Sequence, residues 1–447
     1  VSFPLYPGSA KSQITTNNIG TTVTILSNDR IRSVPVSATQ LRPIFRAMKT
    51  LLLTTNLLLG LVGFSYCASA ATPWPLGVFP DEPEDSGSQT NLESFDTLMG
   101  AKAIILNDYI DFTQAPSDWQ SNNSYTASEF QQTAGWTNVI PMIALPMGST
   151  NSSAPSTSQI LTNYSDGTYD SMLQAMVQTW KNDGYSTQYW RPGVEMNLTS
   201  TPGFVGGDPG LQAQWIAAFQ HIYTTMHAAA NADGVTLYIV WNPGLVNGTP
   251  AGNATQTLWP GKQYVDIIGG DIYGEVTPDS LYDWAANGQV YNARNAVYDS
   301  SLAQFASNPI NLYHFYSYPA STATTPDSSG GVALSLPGLI AFAEAQGLPV
   351  GLPETGAGGS GAEIRAGLTD NATFPAWEAS VLKTSTVPVA FVSIWDDNGG
   401  GRYAFTPVTS AGKPNEAAAW AANFGAGALS GSSQPASLNN TQINGTR

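Results

Sequence analysis

From Trp74 to Trp395 the chain alternates short, almost continuously apolar runs with segments of helical period. The first four runs are WPLGVF (74–79), KAIILN (102–107), NVIPMIAL (138–145) and TQYWRPGVE (187–195). The next four are VTLYIVW (235–241), YVDIIGGDIY (264–273), LPVGLPE (348–354) and VAFVSIW (389–395). Runs this apolar are typical of parallel strands covered on both faces. Between them, Tyr169, Met172, Leu173, Met176 and Trp180 fall on one side of a helix, and Leu211, Trp215, Phe219, Ile222 and Met226 form a second such stripe. Eight strands separated by helical or long loop segments predict an α/β fold, a single (β/α)8 TIM barrel. A doubly wound open sheet is the competing architecture.

Ahead of this region the pattern changes. Residues 1–47 show no sustained period and read as an upstream extension that is not native to the protein. MKTLLLTTNLLLGLVGFSYCASA, residues 48–70, has one base (Lys49), an apolar stretch from Leu51 to Phe64, and Ala68 and Ala70 at the −3 and −1 positions of a cut. These are the features of a secretory signal peptide, too short and wrongly flanked for a membrane span. Ser65 and Tyr66, directly before Cys67, do not suit a lipoprotein signal. The expected organisation is thus an extension (1–47), a signal peptide (48–70), a barrel domain (71–425) and a disordered Gly/Ser/Asn-rich tail (426–447).

Removing the first 70 residues changes the charge. They hold six of the 16 Lys/Arg and one of the 32 Asp/Glu, leaving ten bases against 31 acids and a net charge of −21. So negative a protein is a poor partner for nucleic acid and anionic membranes. The one cysteine, Cys67, leaves with the signal, so stability rests on the core and not on disulfides. The expectation is a secreted monomer, extracellular or periplasmic, with no membrane anchor.

In such a barrel the active site lies where the strands finish. The strand ends carry Glu195 on the fourth, Trp241 on the fifth, Asp271 and Tyr273 on the sixth, Glu354 on the seventh and Trp395 on the eighth. Two glutamates facing each other across the mouth match the requirement of a retaining glycosidase, whose carboxyl groups stand about 5–5.5 Å apart. One protonates the leaving oxygen and the other attacks the anomeric carbon. Trp395 and Trp241 offer flat apolar platforms for sugar rings. The plainer reading makes either glutamate a salt-bridge partner, and Arg191 and Glu195, four residues apart in YWRPGVEMN, a structural ion pair.

YWRPGVEMN (189–197), YVDIIGGDIYG (264–274), LPVGLPETG (348–356) and VSIWDDNG (392–399) together resemble strands four, six, seven and eight of glycoside hydrolase family 26, a clan A family typified by endo-β-1,4-mannanases. The similarity runs through roughly residues 74–424. It implies that Glu195 is the general acid/base and Glu354 the nucleophile. It further implies that Tyr273 hydrogen-bonds the nucleophile, that Trp395 floors the subsite of the cleaved sugar, and that Arg191 and Asn197 flank the acid in the substrate-binding site. Arg191 is expected to share a strand face with Glu195 and to hold a neighbouring carboxylate ionised. The substrate implied is a polysaccharide or oligosaccharide, β-1,4-mannan first, and no cofactor or metal is expected. Where the family has histidine before the acid/base, this chain has Val194, and the tryptophan-rich segment that follows is thinned to LTSTPGFVGG (198–207). Both departures bear on which β-glycan is bound, and they leave a carbohydrate-binding barrel without turnover as the rival reading.

Other signals are weaker. GAGGSG (356–361) has dinucleotide-loop spacing but follows a seventh strand and not the first βα turn. His221 and His227, six apart on a helix, share no face and make a poor metal pair. No G-x-S-x-G elbow is present. Asn-x-Ser/Thr triplets, as at Asn151, Asn247 and Asn371, matter only in a eukaryotic secretory pathway. One prediction follows from the leader: the exported protein begins at or within a few residues of Ala71. N-terminal sequencing of the secreted form checks it, and residues 1–47 found there would overturn the assignment.

Overall fold

The computed structural model describes residues 11–17, 20–27, 30–36, 73–83, 87–133, 135–198, 201–245, 258–273, 336–357, 370, 372–396, 404–406 and 413–429. The proposed signal peptide, 48–70, lies outside these residues. The chain forms two units, Val1–Ala68 and Ser69–Arg447. In the first, β1 (Lys11–Asn17), β2 (Gly20–Ser27) and β3 (Arg30–Val36) form an antiparallel meander where no regular element was expected. Asn17 pairs with Gly20 and Ser27 with Arg30, so two residues remain at each connection, the commonest hairpin length. Thr, Val and Ile enrichment favours strand here without the period-two alternation that a one-faced core imposes.

The second unit is the (β/α)8 barrel. Its strands are β4 (Leu76–Phe79), β5 (Ile105–Tyr109), β6 (Ile140–Leu145), β7 (Thr187–Pro192) and β8 (Thr236–Trp241). They continue with β9 (Ile267–Gly269), β10 (Ile272–Tyr273), β11 (Val350–Gly356) and β12 (Val389–Trp395). All pair in parallel, β12 closes onto β4, and β9 and β10 both pair with β11. Those two are one interrupted sixth strand, so eight strands close the cylinder, each within one of the apolar runs except that β5 and β11 extend two residues further.

Around it run α1 (Ser88–Met99), α2 (Trp119–Gln132), α3 (Thr157–Ser165), α4 (Asp170–Asn182), α5 (Pro209–Asp233), α6 (Leu336–Gln346), α7 (Thr373–Leu382) and α8 (Pro414–Phe424). The longest, α5, has clear start and stop signals. Asp208 caps the amides of Gly210 and Leu211, Pro209 opens the first turn, and Gly234 ends the helix in the left-handed conformation. Ala426–Leu429 adds a 3-10 turn at the start of the segment expected to be disordered. None of the described helices is long and apolar enough to cross a membrane.

Two apolar layers follow from strand alternation. Strand side chains facing the helices, such as Trp190 and Trp241, join helix side chains such as Trp180 and Trp215 in the large cluster. Those pointing into the cylinder form a small one of Ile105, Met142, Tyr189, Tyr238, Val240, Ile267, Ala390 and Phe391. One inward step further along the strands the residues turn polar: Asn107 after Ile105, Arg191 after Tyr189, Asn242 after Val240, Ser393 after Phe391. The small cluster is thus a plug on which a polar layer stands, at the strands' C-terminal ends. β11 departs from regular alternation. Leu352 pairs with Val392 but Thr355 with Ile394, so β11 carries one extra residue there, a β-bulge.

Candidate active site

Glu354 sits at this bulge and points inward, 6% exposed. Its Oε1 accepts from Tyr109 Oη at 2.5 Å and from Arg191 Nη1 at 2.7 Å, and its Oε2 accepts from Tyr273 Oη at 2.8 Å. All three partners donate, the company of an ionised carboxylate, which accepts only. Burial, and then the negative charge of Glu354, raise both tyrosine hydroxyls well above their usual range, which keeps them donors. Arg191 is fully buried; its Nη1 also donates to Asn242 Oδ1 at 3.1 Å, and its guanidinium carbon lies 5.1 Å from the centre of the Tyr109 ring. Asp271 Oδ1 is 4.0 Å from the same nitrogen. Burial, then the charge of Glu354, push the Asp271 carboxyl well above the usual carboxylate range.

Glu195 reaches the site differently. β7 ends at Pro192, Gly193 turns at φ 62°, and Glu195 itself adopts φ 50°. A glutamate in the left-handed region is strained and persists only when its surroundings impose it. Here its amide donates to the Asn242 carbonyl at 2.8 Å, while its carbonyl accepts from the Leu198 amide at 2.8 Å and the Thr201 hydroxyl at 3.0 Å. Withdrawal from water raises the Glu195 carboxyl from 4.5 to about 8; the charge of Glu354 adds to this and Arg191 opposes it.

Among the described residues, Glu195 and Glu354 line one cavity of about 250 Å³ together with Tyr109, Trp395 and an apolar wall that includes Phe112, Met147, Val194 and Pro202. Trp395 packs at 4.3 Å on Phe79 and has the rings of Tyr109 and Tyr273 at 5.8 and 6.4 Å, so its ring is fixed beside Glu354. Gly148 keeps two of the wall's loops in contact, since a Cβ there would lie 2.1 Å from the Pro202 carbonyl oxygen.

Of the seven residues singled out from sequence, Glu195, Glu354, Tyr273 and Trp395 come together as expected. Three do not bind where expected. Arg191 lies beneath Glu354, out of reach of a ligand, and its ionic partner is that glutamate and not Glu195, because the turn at Gly193 takes Glu195 off the strand face. Asn197 is not a wall of the cavity: its amide donates to the Gly244 carbonyl at 2.8 Å and accepts from the Gly244 amide at 2.9 Å, fastening the Glu195 turn to the end of β8. Trp241 is fully buried among the helices, edge-on to Trp259 and bonded to the Leu258 carbonyl at 3.1 Å, so it offers no sugar platform. Leu237, Ile239 and Trp241 share the outward face of β8, and the inward residue is the next one, Asn242. Tyr109 and Asn242 are the functional residues the sequence reading missed. Counting inward positions two at a time from Ile105 and Val240 finds both. The histidines serve separate pairs, His221 with Asp170 at 2.7 Å and His227 with Asp266 at 2.8 Å.

No protein-family model and no curated protein matches the chain. Among solved structures it is similar to Bacillus subtilis mannanase man26, at 14% identity and TM-score 0.47 over 83% of this chain and 92% of that one. It is also similar to a modular endo-β-1,4-mannanase from Cellulomonas fimi, at 13% identity and TM-score 0.44 over 77% and 70% of the two chains. A third is a family 26 β-mannanase from Bacteroides ovatus, at 12% identity and TM-score 0.42 over 77% and 86%.

The geometry around Glu354 makes Arg191 the counter-charge of a crowded acidic site. Arg191→Met keeps most of the side chain's volume and leaves the buried Glu354 without its counter-charge, which is expected to remove about 3–5 kcal/mol of stability at pH 7. The stranded carboxyl then binds its proton more tightly folded than unfolded, so the loss should shrink as pH falls through the carboxylate range. Urea denaturation at pH 7 and pH 4 measures this; an equal loss at both would show that the charge is not what matters.

Proposed function

We propose that this protein is a secreted retaining glycoside hydrolase that cleaves internal β-linkages of a polysaccharide, β-1,4-mannan first among them. The observation that carries the reading is the different setting of two glutamates on one cavity: Glu354 is held by three donors, and the Glu195 carboxyl, withdrawn from water, is pushed up to about 8. A carboxylate held by donors beside a carboxyl raised toward its acid form suits a nucleophile and a general acid. The choice of mannan rests on the motif resemblance around Glu195, Tyr273, Glu354 and Trp395.

In the first step Glu354 attacks the anomeric carbon as Glu195 gives its proton to the departing oxygen. The covalent ester that forms neutralises Glu354. This removes the negative charge that helps hold the Glu195 carboxyl high, so the Glu195 carboxylate left behind is stabilised just when it must activate water. Arg191, Tyr109 and Tyr273 hold the attacking carboxylate in place and receive its charge again when the ester is cleaved.

Reducing-sugar release from mannan, glucomannan, xylan and mixed-linkage glucan tests the proposal. Release abolished by Glu354→Ala supports it, whereas saturable glycan binding without release would favour a binding protein. Glu195→Ala should lose about 10²–10⁴ in turnover on polysaccharide, the usual contribution of a general acid. It should keep much of its first-step rate on an aryl glycoside with a good leaving group, with azide rescuing the second step as a β-glycosyl azide. Equal loss on both substrates, with no azide product, would reverse or remove the assigned roles. Glu195 carries its proton below its raised pKa, so polysaccharide turnover should fall as pH rises through about 8; a rate flat to pH 9.5 would contradict this.

A further inference from the structure

Glu354 faces the cavity only because β11 breaks step. Val350 and Leu352 face the helices, and in a regular strand the next even-numbered position, 354, would face them too. The extra residue between Leu352 and Thr355 returns Glu354 to the interior and sends Thr355 outward. A bulge leaves backbone groups without their ladder partners, so something must hold it. Two side chains do, from opposite sides. Inside the cylinder, Asn107 Nδ2 of β5 donates to the Pro353 carbonyl at 2.6 Å, directly before Glu354. Outside it, Thr355 Oγ1, directly after Glu354, donates to Glu378 Oε2 of α7 at 2.5 Å.

Glu378 is an unusual anchor for a helix that packs against a strand. Its carboxyl is fully buried, and Oε1 has no hydrogen-bond partner among the described residues. Desolvation raises it to about 8, with the Thr355 bond opposing the shift, so at neutral pH it sits there as a neutral acid. A buried carboxyl with half its polar atoms unmatched weakens the fold, and an apolar residue would pack there at less cost. Its one side-chain hydrogen bond among the described residues is to Thr355, beside Glu354.

We propose that Glu378 and Asn107 are positioning residues for the proposed hydrolysis, which clamp the β11 bulge on both sides and so aim Glu354 at the cavity. The clamp also sets Tyr273, because β10 joins β11 just beyond the bulge, Ile272 against Thr355 and Tyr273 against Gly356. This inference rests on the nucleophile assignment for Glu354, and its test is built to separate the two.

Thr355→Val keeps the shape and removes only the hydroxyl, Glu378→Leu removes the acceptor, and Glu378→Gln restores one. Thr355→Val and Glu378→Leu should lower kcat on polysaccharide about 10–100-fold with KM little changed, as a misaimed reactant does. Glu378→Gln should stay close to the unsubstituted enzyme. A crystal structure of Thr355→Val should show Glu354 parted from Tyr109, Arg191 or Tyr273. Unchanged kcat with all three contacts intact in a folded Thr355→Val protein would overturn the proposal, as would Glu378→Gln failing as badly as Glu378→Leu. If the unsubstituted protein cleaves no glycan, the hydrolase reading falls, and the Thr355→Val structure still decides whether the clamp aims Glu354.

Discussion

The contact between Arg191 and Glu354, 2.7 Å long and closed off from bulk water, is the constraint to which the rest of the barrel mouth answers. Removing two charges from water is expensive, and a single attraction repays it only with good geometry and matched neighbouring groups. Here the matching groups come from five different strand ends: Tyr109 on β5, Arg191 on β7, Asn242 after β8, Tyr273 on β10 and Glu354 on β11. No local segment can assemble that set. It needs a closed cylinder whose strands hold their relative height, and the apolar plug around Tyr189, Tyr238 and Phe391 supplies the platform.

The same contact sets the proton inventory. Glu195, Asp271 and Glu354 share the neighbourhood of one guanidinium, and three negative charges around one positive charge, two of them buried, would repel strongly. Arg191 is committed to Glu354 at 2.7 Å, against 4.0 Å to Asp271. The remaining two carboxyls are the ones pushed upward, each by burial first and by the charge of Glu354 next. The division of labour proposed for the glutamates thus follows from where a single arginine points. An ion pair of this kind does little for stability, and its presence is understood through what it does to its neighbours.

How much of this was legible in the sequence varies with the physics involved. Burial on both faces makes the barrel strands continuously apolar, so all eight runs held a strand, and the long helices showed their stripes. The residue types at the site were legible too, since Glu195, Glu354 and Trp395 line one cavity and Tyr273 bonds Glu354. What continuous apolarity hides is facing. When both sides of a strand are buried, composition does not say which residues point inward, and Trp241 was chosen over Asn242 for that reason. Tyr109 was missed because the run KAIILN stops being apolar at Asn107, although the strand continues for two residues. Asn197 and Arg191 had the chemistry of ligand-binding groups, but their partners, Gly244 and Glu354, lie 47 and 163 positions away and could not be seen from their own segment.

Both proposed catalytic glutamates also occupy irregular backbone, and for a common reason. A regular barrel strand delivers one inward side chain for every two residues, at heights fixed by the pleat and the shear. Two carboxyls that must bracket a single bond from different strands do not both fall on that grid. One is lifted off it by the turn at Gly193 and the left-handed backbone of Glu195, the other by the extra residue before Thr355. Each irregularity costs free energy and is fixed by contacts from neighbouring elements: Asn242, Leu198 and Thr201 on one, Asn107 and Glu378 on the other. The fold provides the wall and the plug, and the placement of the reacting groups lies in these two local departures from it. Sequence patterns that follow the regular period are therefore blind to the very positions where the chemistry is set.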